Sequence, residues 1–70
     1  MIPINLAEKG EEVTVKKVGG NIAVKKHLND LGFVPGCSVK VITSLGGNVI
    51  VNVKETRVAI SEEMARKIMV

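Results

Sequence analysis

Seventy residues, 46% of them apolar, are enough to close one small domain around one core and leave nothing for a second. With a single Phe and no Tyr or Trp, the chain lacks the stacking platforms of a single-strand nucleic-acid binder and the aromatic groove of a Pro-rich-peptide binder. Its net charge of +3 is spread over lysine pairs (Lys16-Lys17, Lys25-Lys26) and glutamate pairs (Glu11-Glu12, Glu62-Glu63), a mixed surface with no basic stripe, so no nucleic-acid partner is expected.

The first ten residues read as a lead-in, with Leu6 as an apolar anchor and Gly10 as a turn. They show no basic segment followed by an apolar one, and no apolar run in the chain approaches the ~20 residues that span a bilayer. One cysteine permits no internal disulfide and points to a reducing compartment. The expectation is a cytoplasmic protein, or the cytosolic face of something larger.

Residues 11–18 alternate as a strand, Val13 and Val15 facing one way, Thr14 and Lys16 the other. Gly19-Gly20 breaks it, and Asn21 is suited to cap a helix by accepting a hydrogen bond from its free amides. Val24, Leu28 and Leu31 then recur at helical spacing as an apolar stripe, with Ala23, His27 and Asp30 beside it and Lys25, Lys26 and Asn29 toward solvent. Gly32 ends the helix by entering the left-handed region, and Pro35-Gly36 fits the centre of a type II turn. Gly32, Pro35 and Gly36 thus form a structural corner that delivers the helix into a strand. Residues 38–44 and 48–53 are two strands joined around Gly46-Gly47, a strong hairpin signal. The polar turn Lys54-Glu55-Thr56 leads to a third strand, residues 57–60. Ser61 caps a short helix whose first turn holds Glu62 and Glu63, and Ile68-Met69-Val70 can add one edge strand.

Short connections make these strands antiparallel. The fold class expected is therefore mainly β: a small, SH3-like barrel of about five antiparallel strands, with a helix after the first strand and a short helix before the last.

The order of these features carries a closer resemblance. A Val-rich strand, Gly-Gly, a helix ending Leu28-x-x-Leu31-Gly32-Phe33-x-Pro35-Gly36, a Gly-Gly hairpin, Arg57-Val58-Ala59-Ile60 and a short helix with Ala65 follow one another. The chain resembles the ferrous iron transport protein A (FeoA) family over essentially its whole length. It is also similar to the C-terminal domain of iron-dependent repressors of the diphtheria toxin repressor type. His27 departs from the pattern, standing where the family typically presents Arg. The resemblance implies a small accessory protein of ferrous iron uptake. Its partner would be the cytosolic GTPase domain of the membrane transporter FeoB, and membrane contact would come only through that partner. The alternative it implies is a transition-metal-binding sensor module.

The residues themselves offer little chemistry. There is no phosphate-binding Gly-rich loop, no Cys-x-x-Cys and no paired-His motif. His27 and Cys37 are the one base and one nucleophile by type. A small apolar role for Cys37 at a strand start competes with any dyad, and no enzymatic activity is expected. For a divalent ion such as Fe²⁺ or Zn²⁺ the weak candidates are His27 and Asp30, one turn apart, and Cys37; a site of three good ligands is not available by count. Ile42 and Ile50 fall on the face opposite Val39, Val41, Val49, Val51 and Val53, so either barrel curvature buries both faces or a partner covers one. Leu45, apolar at a hairpin tip, is the better candidate for protein contact, with Lys25 and Lys26 supplying charge near the corner.

Overall fold

The computed structural model describes all residues, 1–70. A 3₁₀ turn, Ile4–Leu6, precedes strands β1 (Glu12–Thr14) and β2 (Lys17–Val18), helix α1 (Ile22–Asp30), strands β3 (Ser38–Leu45), β4 (Asn48–Val53) and β5 (Thr56–Ser61), helix α2 (Glu62–Ala65) and strand β6 (Ile68–Met69). Four strands form an antiparallel sheet in the order β1-β3-β4-β5, and β2 pairs antiparallel with β6.

The expected first strand is in fact two. Val15 still lies along β3's start, its N–H donating to the Cys37 carbonyl at 2.8 Å, but the N–H of Lys16 donates to Met69 at 2.8 Å. The chain changes partners between these two residues and so passes from one sheet to the other. Val13 is half-buried and Val15 buried, yet the next inward side chain is Val18, while Lys16 and Lys17 are both exposed. That slip in the alternation is the kink.

The corner forms as the sequence implies. Asn21 Oδ1 accepts from the N–H of Val24 at 2.9 Å and caps α1. At the other end Gly32 has φ +104°, its N–H donates to Asn29 and that of Phe33 to Leu28, both at 2.9 Å. This is the Schellman arrangement, and the Leu28 and Phe33 side chains that accompany it are both fully buried. Gly36 (φ +92°) then completes a type II turn, the N–H of Cys37 donating to Val34 at 3.0 Å.

Two tight hairpins shape the larger sheet. Gly46 and Gly47 both have positive φ, as a two-residue type I′ turn requires. Lys54 (φ 50°) and Glu55 (φ 66°) do the same between Val53 and Thr56, where no glycine is present to relieve it. The turn expected at residues 54–56 is therefore one residue shorter, and Thr56 belongs to β5. In β3 the register shifts between Val41 and Thr43, leaving Ile42 as the extra residue of a bulge. Ile42 and Ile50 are both half-buried, so the fold covers part of each side chain on this second face.

The core joins Ile4, Val15, Leu28, Phe33, the inward valines of β3 and β4, Ile60, Ala65, Ile68 and Val70 in one cluster. Two expectations are corrected here. The anchor of the N-terminal segment is Ile4, fully buried, whereas Leu6 is 66% exposed. In a 3₁₀ turn, residues two apart point in different directions, and only one of them can face the core. Nor is the last strand an edge: β6 pairs with β2 on one side, while Met69 bridges Pro3 and Val70 exchanges hydrogen bonds with Ile2 (3.0 and 2.8 Å) on the other.

Candidate functional site

The hairpin tip between β3 and β4 holds its position through a hydrogen bond from the N–H of Glu62, at the start of α2, to the Gly47 carbonyl (2.9 Å). The type I′ turn directs Leu45 into solvent, where its side chain is 70% exposed. Leu6 projects from the 3₁₀ turn nearby. Asn5, Leu6, Leu45, Asn48 and Glu62 line a groove of about 330 Å³. Within it Asn5 Oδ1 is shielded from solvent and receives no hydrogen bond from the protein. Glu62 is held on its other side by Arg66, one helical turn on, at 2.8 Å. Leu6 also borders a second, more apolar groove of about 390 Å³ with Ile2, Val13 and Val70, rimmed by Glu8 and Glu11. Two exposed leucines thus share one cleft, and Leu6 was missed as a surface residue. Its only signal was Pro3, which by fixing φ starts the turn that separates Leu6 from Ile4.

The tip and the corner are not neighbours. Leu45 pairs with Asn48 at one end of β4, whereas Gly32 lies against Val53 at the other. A six-residue strand separates them by about 17 Å. Lys25 and Lys26 are exposed on α1, beside Ile22, which is 87% exposed.

The ligand candidates stay apart. His27 and Asp30 are exposed on α1, and no three His, Cys, Asp or Glu side chains stand close enough together to hold a metal ion. Cys37 is half-buried and its Sγ donates to the Ser38 carbonyl at 3.7 Å, with no hydrogen bond to His27. The residues present therefore do not fit a resident metal within one chain.

Helix, Schellman corner and paired I′ hairpins follow the order that residues 21–60 spell out, and the FeoA domain model matches residues 2–70. The chain belongs to the FeoA domain family. A protein of Methanocaldococcus jannaschii carrying the provisional name Fe(2+) transport protein A is 39% identical over 70 residues, all of this chain and 85% of that one. The crystal structure of an iron uptake regulatory protein, FeoA, superposes with a TM-score of 0.89 at 26% identity, covering 97% of this chain and 90% of that one. FeoA of Stenotrophomonas maltophilia, solved with zinc and described as an SH3 domain protein, matches with a TM-score of 0.84 at 24% identity over 99% of this chain and 88% of that one. The fold is thus SH3-like. It recurs in a manganese-dependent transcriptional repressor (TM-score 0.85, 14% identity), of which this chain spans 38%.

Proposed function

We propose that this protein acts at the cytosolic side of the membrane as an accessory of ferrous iron uptake, binding and modulating the cytosolic GTPase domain of the transporter FeoB. Family membership supports the pathway. The contact surface rests on one observation: Leu45 and Leu6, both exposed, flank the same groove at the hairpin tip. A few side chains that a partner fully covers carry most of the energy in protein contacts, and these two are the exposed apolar ones lining this groove. Lys25 and Lys26, too far along the barrel to join this groove, would steer the encounter by charge. Binding, not catalysis, is the activity proposed. The alternative of a metal-sensing module needs three converging ligands, which this chain does not assemble.

An NMR titration against the isolated GTPase domain of the transporter tests this reading. Leu45→Asp and Leu6→Asp are expected to fold normally and to weaken binding by about tenfold or more. Lys25→Glu with Lys26→Glu should mainly slow association, less so at high salt. If Leu45→Asp binds and supports iron uptake like the parent, the groove is not the contact.

A further inference from the structure

The free edges of the larger sheet are β1 and β5. β1 is only three residues long and follows Glu11, so it is short and charged, as protected edges are. β5 is six residues long, contains no proline, and pairs with β4 without a bulge.

Its backbone polarity can be read from the turn. A two-residue turn makes Val53 and Thr56 a hydrogen-bonded pair, so Val51–Val58 and Val49–Ile60 are hydrogen-bonded as well. The bond from the Glu62 N–H to the Gly47 carbonyl continues the same parity. Arg57 and Ala59 therefore turn their N–H and C=O groups away from β4, toward the open side, and Ser61 turns its N–H the same way while its carbonyl, at the N-cap of α2, serves that helix. All three side chains are exposed on the outer face of the barrel.

We propose that β5 pairs antiparallel with β5 of a second copy of this chain, about a twofold axis at Ala59. The register is self-complementary. Ala59 meets Ala59 of the second copy, a small pair at the axis, and Arg57 meets Ser61. Two bonds at the Ala59 pair and one from each Ser61 N–H to Arg57 of the other copy would give about four backbone hydrogen bonds. Charge fits the same register. Arg57 has no acidic partner within its own chain, because the one ion pair is Glu62 with Arg66. Glu63, exposed and also unpaired, lies two residues past Ser61, within about 7 Å along the chain. The twofold thus sets an unpaired cation of each copy opposite Ser61 of the other, with an unpaired anion two residues further on, twice. A foreign strand would gain the backbone bonds without this match.

Edge pairing buries little area and belongs to the weak class of association. Sedimentation velocity on the full chain from about 10 μM to about 1 mM is the test. Ala59→Pro removes only an outward N–H, which leaves the β4 ladder intact, and Ala59→Lys places two like charges at the axis. Both are expected to give monomers with unchanged melting, while the parent shows a reversible dimer. Arg57→Glu alone should weaken the dimer by about tenfold, and Arg57→Glu with Glu63→Arg should restore it. In the parent dimer the amides of Ala59 and Ser61 should gain protection from hydrogen exchange. A parent that stays monomeric at the highest concentration overturns the proposal. So does a dimer that survives both Ala59 variants.

Discussion

Gly32 and Val53 are in contact so close that a Cβ on Gly32 would stand 2.8 Å from Val53 Cγ1. The end of α1 is thereby pressed onto the last residue of β4, immediately before the Lys54-Glu55 turn. Two demands converge on Gly32, a left-handed φ of +104° and the absence of a side chain. Gly36 meets only the first, since nothing lies within 4 Å of where its Cβ would be.

The two corner glycines should therefore differ in urea melts. Gly36→Ala is expected to cost about 1 kcal/mol through the left-handed backbone alone. Gly32→Ala should cost about 2 kcal/mol or more, because it adds overpacking against a buried β-branched side chain. Adding Val53→Ala to Gly32→Ala should recover part of that difference; equal midpoints for the two single variants would remove the packing argument.

The turn at Lys54-Glu55 holds two side-chain-bearing residues at positive φ. Lys54→Asn with Glu55→Gly supplies the residues a type I′ turn favours and is expected to stabilise the fold by about 1 kcal/mol. A lowered denaturation midpoint would show that these side chains contribute contacts outweighing their backbone strain.

Ile4 and Leu6 should part sharply on truncation. Ile4→Ala removes a fully buried side chain and is expected to cost about 2–5 kcal/mol. Leu6→Ala, on an exposed side chain, should stay within about 0.5 kcal/mol. Thermal melts of the pair check this directly, and the reverse order would place the anchor back at Leu6.

Metal uptake by a single chain should be weak. Anaerobic calorimetry with Fe²⁺, and with Zn²⁺, at micromolar protein is expected to show no stoichiometric binding, since three ligands do not converge. Tight one-to-one binding lost in His27→Ala would revive the metal-sensing alternative.

The sequence by itself determined the local pieces: Asn21 as a cap, the Leu31-Gly32-Phe33 helix end, the Pro35-Gly36 turn and the Gly46-Gly47 hairpin. Each depends on backbone preferences of residues within a few positions of one another, which any chain carrying them expresses. It also carried the family, because that local order runs the length of the chain. The candidate surface was legible only in part. Leu45 stands out beside two glycines, but Leu6 looked like core, and the separation of tip and corner along β4 was invisible. The rest was decided in tertiary structure. Val15 and Lys16 take different partners because Cys37 and Met69, far apart in sequence, arrive on the same stretch of backbone. Residues 68–70 lie between β2 and the Ile2-Pro3 segment because the N-terminal residues close over them. Partner choice in a barrel is set by which distant strands share one core, and alternation along a strand shows which face is inward without showing what lies alongside.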